Sequence, residues 1–256
     1  KVLSNGRLMR EDWIVLIRFL AAQDVRTPIK LIEHISRFNE YLPNALSEAM
    51  EDLPQRLQNQ GTGSGYYYNS HLLPFKFTTE RIPGTDQALV KAESYVGRAS
   101  WLVGMKHLLE NTIKALLSHR WTIVSPANGY EWVTSDNPVV KCNYHNQSQY
   151  DLQGGWGVKN GNIFFPLGPR HAMFVQIGNY PDIKYTKLDK NLTELLLKFS
   201  IENAHRMIFS TKENNNIMQI RTREVDSERI KIERQSIELW HQENSVQEHE
   251  FFMKNK

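Results

Sequence analysis

The sequence predicts an α+β fold, with a helical N-terminal half that contains a long spine helix and packs on a mostly antiparallel sheet. Two observations carry this expectation. Apolar residues recur at helical spacing in long stretches between residues 9 and 119. Between 121 and 187 the period falls to two, and β-branched and aromatic residues gather around Asn-Gly pairs. Helices in one run and strands in the next give segregated layers rather than an alternating parallel sheet.

The first element covers residues 9–25. Trp13, Leu16, Ile17 and Leu20 follow the helical period, while Ile14, Val15 and Phe19 make the other sides apolar, so a helix buried all round is expected. Thr27 precedes Pro28 and is pushed out of the helical region, which closes the helix there. Residues 29–58 read as one or two helices, with Pro43 as the natural break. Gly61-Thr62-Gly63-Ser64-Gly65 is a surface loop. No lysine and no helix follow it, so it is not a phosphate loop. In 86–119, Tyr95, Ala99, Leu102, Leu109, Ile113 and Leu116 form one stripe. They predict a single helix over 88–117, about 45 Å long at ~1.5 Å per residue.

The sheet comes next. Trp121-Thr122-Ile123-Val124 and Glu131-Trp132-Val133-Thr134 flank Asn128-Gly129, a pair favoured in two-residue hairpin turns, so 121–135 is expected to be one hairpin. A second such pair, Asn160-Gly161, precedes Ile163-Phe164-Phe165, and Met173, Val175 and Ile177 alternate with Phe174 and Gln176. Helix is expected again over 192–207 and a strand over 217–222. The organisation expected is one α+β domain over 1–222, helical over 9–119 and sheet-rich over 120–222. A peripheral charged helix with a frayed tail follows over 223–256.

Composition bounds the partners. The net charge is +3 and the positive residues are interleaved with acids, so the charge does not point to nucleic acid. Cys142 is the single cysteine, which suits a reducing cytoplasm and excludes a cysteine-based zinc site. No stretch approaches the ~18 to 20 apolar residues that cross a bilayer, so no membrane partner is expected.

Three polar patches stand in constrained surroundings. Phe19, Gln23 and Arg26 share one face of the first helix, which would place a buried guanidinium, in need of a carboxylate, at the helix end. Thr134-Ser135-Asp136-Asn137-Pro138 leaves a strand and presents three polar side chains; the same residues also close turns on their own backbone. Asn203 and Arg206 continue the apolar stripe of Leu192, Leu196 and Phe199, where they either satisfy sheet carbonyls or line a cleft. Arg26 and Asp136 are expected to pair in space. Asp136, Asn137 and Arg26 are the candidate catalytic residues, and Gln23, Ser135, Asn203 and Arg206 the candidate ligand-binding ones. No metal ligand set is named.

The ordered set Arg26-Thr27-Pro28, Trp121, Thr134-Ser135-Asp136-Asn137-Pro138, Pro166-Leu167-Gly168-Pro169 and Asn203-Ala204-His205-Arg206 resembles a bacterial family catalogued as a domain of unknown function, DUF4238. The resemblance covers roughly residues 10–215. Members of that family open with a His-Tyr-Val/Ile-Pro-like segment that this sequence lacks, and the chain starts without Met, so the native N-terminus is expected to lie upstream. The resemblance implies no reaction; a role in defence or toxicity is an expectation only.

Sharper motifs carry less. Glu202/His205 and Glu238/His241 are Glu-x-x-His pairs of the kind used in di-iron bundles, but the strands after 121 break any four-helix bundle. Asp182-Ile183-Lys184 matches the acidic-x-Lys step of metal-dependent nucleases, in which Mg²⁺ would be the cofactor, yet a turn after Pro181 produces it unaided. Two functional expectations remain. One is a phosphodiester-directed hydrolase or nuclease-like effector centred on Asp136 and Asn137, with Arg26 and Arg206 stabilising anionic charge. The other is a non-catalytic module that binds a protein partner through the aromatic stretch from Tyr66 to Phe77 or through the C-terminal helix. Convergence of the polar residues on a cleft favours the first, and mutual saturation the second.

Overall fold

The structure, a computed structural model, describes residues 1–51, 66–69, 74–81, 88–94, 97–178, 185–213, 215–222 and 226–254. The Gly61–Gly65 loop and Asp182-Ile183-Lys184 lie outside the described residues. The fold is α+β. It divides into two compact units, the first made of 1–30 and 107–224, the second of 31–106 and 225–256.

The first unit holds helix α1 (Arg10–Val25), whose C-terminal turn leads directly into α2 (Pro28–Glu51). Proline at the first helical position gives up only an amide that has no partner there anyway. Pro43 does not break α2, which runs through it. Later in the chain come α3 (Arg98–His107), a π-helical turn (Leu108–Thr112) and α4 (Ile113–Ser118), then β4 (Thr122–Ser125), β5 (Thr134–Ser135), β6 (Val140–Asn146), β7 (Gln149–Asp151), β8 (Asn162–Gly168), β9 (His171–Gln176), β10 (Tyr185–Lys187), α5 (Lys190–Glu202), β11 (Ile208–Phe209), α6 (Asn215–Ile220) and α7 (Ser227–Lys254). Strands β1 (Tyr66–Asn69), β2 (Pro74–Arg81) and β3 (Ala88–Ser94) belong to the second unit.

Six strands form the main sheet in the order β10-β4-β9-β8-β6-β7, with every pairing antiparallel except β10 on β4. Both faces are covered within the first unit. Val124, Val140, Cys142, Phe164 and Ala172 face α5 and pack with Leu196, Leu197, Phe199 and Ile201. Trp132 meets Phe164 edge-on at 4.9 Å between ring centroids. On the opposite face Phe165 packs against Phe19 of α1, 5.7 Å between centroids. Two-sided burial explains why β8 reads Ile163-Phe164-Phe165 with no polar alternation.

Five expectations differ. Residues 88–94 are not helical: β3 pairs antiparallel with β2 from Arg81↔Ala88 to Phe75↔Ser94, and the helix begins at Arg98. The β-rich run Phe75-Lys76-Phe77-Thr78-Thr79 supplies a partner strand that helical spacing cannot register. The 121–135 hairpin is absent. A turn does close there, with the Tyr130 amide donating to the Ala127 carbonyl, but only Gly129 has positive φ, +84°. The type I′ turn favoured by Asn-Gly needs positive φ at both central residues, whereas positive φ at the second alone belongs to a type II turn, from which the flanking chains splay. Strand β4 therefore pairs with β9, and β5 with β11. The helix expected over 192–207 ends at Glu202, and 215–220 is helix α6 rather than strand. Finally, α1 is not buried all round: Val15 is 65% and Phe19 48% exposed, and the inner face is Ile17, Leu20, Ala21, Asp24 and Val25.

In the second unit β1, β2 and β3 form an antiparallel sheet. The start of α3 is capped from α7. Glu248, 3% exposed, accepts hydrogen bonds from the amides of Gly97 (3.2 Å) and Ala99 (2.8 Å), and Ser245 Oγ accepts from Arg98 (3.2 Å). These are orphan amides of a helix N-terminus, and a carboxylate there also complements the helix dipole. Glycine is required at 97, because a Cβ would lie 2.7 Å from Glu248 Oε2 and 2.9 Å from Ser245 Cα.

Replacing Glu248 with alanine strands the Gly97 and Ala99 amides. We expect Glu248→Ala to cost about 1–2 kcal/mol in a denaturant titration, with Glu248→Gln milder because its amide oxygen still accepts. The first unit has its own test in a buried ion pair: Lys141 Nζ lies 2.7 Å from the Asp24 carboxylate, which also accepts from Trp156 Nε1 at 2.7 Å. Lys141→Met should cost about 3–5 kcal/mol by leaving a buried charge unpaired. Adding Asp24→Asn should restore most of that loss, and a double variant as unstable as the single would mean that the charges are not coupled.

Candidate functional site

The candidate residues after β5 and after α5 come together in one polar zip. Asp136 follows β5, and its two carboxylate oxygens accept from the backbone amides of His205 (2.9 Å) and Arg206 (2.8 Å). Its own amide donates to the Met207 carbonyl at 3.1 Å. Asn137 Nδ2 donates to the Asn203 carbonyl at 2.9 Å, and Asn203 Nδ2 donates back to the carbonyls of Asn137 (2.8 Å) and Val139 (3.2 Å). Ser135 Oγ accepts from the Asn137 amide at 3.2 Å, the local turn bond expected of a serine in that position. Arg221 completes the arrangement by donating to the carbonyls of Ala204 and His205.

The sequence produces this geometry by a short sequence of local events. Asp189 caps α5 by accepting from Leu192, and the helix ends at Asn203, whose amide returns to Phe199. The chain beyond is irregular, and its amides and carbonyls cannot pair within a helix. Buried backbone groups need partners, and the 135–139 turn supplies them. The two segments then run antiparallel as β5 and β11, with Ile208 opposite Ser135 and Phe209 opposite Thr134. Asn137 Oδ1 is buried without a hydrogen-bond partner.

Ser135, Asp136, Asn137 and Asn203 therefore meet, and Arg206 contributes its backbone amide. Arg26 and Gln23 do not join them. Arg26 is exposed at the C-terminal end of α1 and donates to Gln23 Oε1 at 2.8 Å, so the expected ion pair with Asp136 is not formed. Phe19 lies at the edge of the contact between α1 and the sheet, touching Phe165 yet 48% exposed, and Arg26 seven residues later is exposed as well. The inward charge is Asp24, on the stripe of Ile17, Leu20 and Ala21, and its partners Lys141 and Trp156 were not foreseen. That stripe is legible at helical spacing as Ile17, Leu20, Ala21 and Asp24, one residue round from the line of Phe19, Gln23 and Arg26.

Beside the zip lies a groove of about 240 Å³, lined by Trp132, Val133 and Thr134, by the Pro166-Leu167-Gly168-Pro169 segment, and by Phe209, Ser210 and Thr211. None of the candidate catalytic or ligand-binding residues lines it. Glu131 at its margin accepts from Thr211 Oγ1 (2.5 Å) and Lys212 Nζ (3.2 Å), which hold its carboxyl below the usual range. Buried in the sheet, Cys142 has its thiol pushed up to about 11 by burial, so it stays protonated and unreactive. Among the described residues no group of three His, Cys, Asp or Glu side chains could hold a metal ion, and no helix is long and apolar enough to cross a membrane.

His171 closes the turn after the proline segment, with its Nε2 2.9 Å from Asn5 Oδ1, and burial pushes its pKa below the ordinary value of 6.5. As pH falls, the unfolded chain takes up the proton first, so stability drops from near the unfolded pKa and levels off below the folded one. We expect thermal unfolding to show a smaller loss between about pH 7 and 5 for His171→Gln than for the parent chain. Equal losses would mean that His171 titrates alike in both states.

Comparison with known proteins gives one positive finding. A family model described as "Protein of unknown function (DUF4238)" matches residues 2–214, a span that contains the groove and every zip residue except Arg221, and stops before α7. No curated protein and no solved structure matches the chain. The ordered motifs at 26–28, 134–138, 166–169 and 203–206 all fall within the matched span, and the chain belongs to the DUF4238 family.

Proposed function

We propose that this chain is a cytoplasmic, non-catalytic interaction module that holds a protein partner on its C-terminal helix. The observation that carries the reading is that the polar residues bond to one another and to their own backbone rather than facing a cleft. Both oxygens of Asp136 are engaged by backbone amides, and Asn137 and Asn203 bind each other's carbonyls. A general base or nucleophile needs a lone pair directed at substrate, and this carboxylate directs both oxygens at its own chain. The C-terminal helix, by contrast, exposes several large apolar side chains, the kind of surface that partners bury. The side chains from Tyr66 to Phe77 lie outside those described. A lone buried thiol fits a reducing compartment.

The competing reading is a Mg²⁺-dependent phosphodiester hydrolase acting through Asp136, and one experiment separates the two. Asp136→Asn presents an amide NH₂ to a backbone N–H and should lower stability by about 1–3 kcal/mol. Wild type and variant are incubated with bis(4-nitrophenyl) phosphate, single-stranded DNA and RNA, each with Mg²⁺. The expected result is the same background rate for both. Turnover by the wild type that a folded Asp136→Asn loses would overturn the module and make Asp136 catalytic.

A further inference from the structure

The outer face of α7 has a regularity that the fold does not use. Ile232, Leu239, Val246 and Met253 stand seven residues apart and are 60%, 56%, 58% and 58% exposed. At ~1.5 Å per residue the row is about 32 Å long. It lies on the side of the helix away from Ile237, Trp240, Asn244 and Glu248, which are buried or half-buried. The rotation of α7 is set by the bonds of Ser245 and Glu248 to the start of α3, so the row is held outward. An apolar residue at every seventh position forms one of the two rows by which helices pack on one another.

Charge decides what fits it. With the apolar row at the first heptad position, Gln235, Gln242 and His249 follow at the fourth, and the flanking positions carry Glu238, Glu243 and Glu250 against one Lys231. All of these side chains are exposed. A second copy fits poorly in either direction. Paired parallel, Glu238 of one helix would face Glu243 of the other on both sides of the seam. Paired antiparallel, the apolar row would stack on the glutamine row. We infer that the outer face of α7 docks an amphipathic helix of another protein, one with an apolar heptad row flanked by lysine or arginine. This rests on the interaction-module reading and names the chemistry of the partner.

The test uses the full chain expressed in its own cells, with the photo-crosslinking residue p-benzoylphenylalanine at position 239, and at 234 as an off-row control. Adducts are mapped by mass spectrometry, and the captured segment is made as a labelled peptide for binding by fluorescence anisotropy. The expected result is an adduct from 239 and not from 234, to a basic heptad segment. Its peptide should bind at least about tenfold more weakly to the Glu238→Lys/Glu243→Lys chain, whose circular dichroism and thermal midpoint are unchanged. An adduct to a second copy of this chain or to lipid overturns the proposal, as do equal capture from 234 and no adduct at all. Capture of an acidic or non-helical segment overturns it too, but leaves the module reading intact. Failure of that reading shows separately, as Asp136-dependent turnover.

Discussion

Irregular backbone at the end of a buried sheet must find hydrogen-bond partners, and here residues 135–139 and 203–207 find them in each other. Asp136 takes the amides that follow α5, and the two asparagines exchange amide donors for carbonyl acceptors. Asparagine suits the place because its side-chain amide has two N–H donors, and Asn203 uses them on the Asn137 and Val139 carbonyls. The zip fixes where α5 ends against the sheet, and therefore how Leu196, Phe199 and Ile201 meet Val124, Val140 and Phe164. Without it, that end of the core would have a strand too short to pair by itself, since β5 and β11 have two residues each.

The other face of the same sheet is held by a different device. Lys141 alternates with Val140 and Cys142 along β6, so it points to the α1 side and meets Asp24 there. A buried ion pair is weak evidence of stability, because desolvation offsets much of the attraction. Its use is positional: only one register of α1 on the sheet brings the carboxylate to both Lys141 and the Trp156 indole. His119 adds to the same corner by its contact with the Trp156 carbonyl, 2.6 Å away.

In the second unit the physics is that of helix ends. Three successive amides at 97–99 are satisfied by two side chains from residues more than a hundred positions later. The family match ends at 214, so this cap is supplied from beyond the matched span. The cap also settles which side of α7 faces outward, and so links a backbone requirement at Gly97 to the surface that the helix displays.

The sequence by itself determined what local physics controls. The 3.6-residue period marked α1 and α5, proline fixed the junction at Thr27-Pro28, the Asn160-Gly161 pair and the apolar run after it marked β8, the period of two marked β9, and the ordered motifs located the family. It also brought out both halves of the zip as polar patches, because Ser, Asp and Asn next to a strand end or helix end must bond to something nearby. What only the tertiary structure decided was the choice of partner. Asp136 bonds to residues about seventy positions away rather than to Arg26, β4 pairs with β9 rather than with the chain beyond Asn128-Gly129, and 88–94 joins a sheet although its apolar spacing also suits a helix. The reason is the same in each case: periodicity says that a face must be covered or a polar group satisfied, but the covering residues come from distant chain that no local pattern specifies.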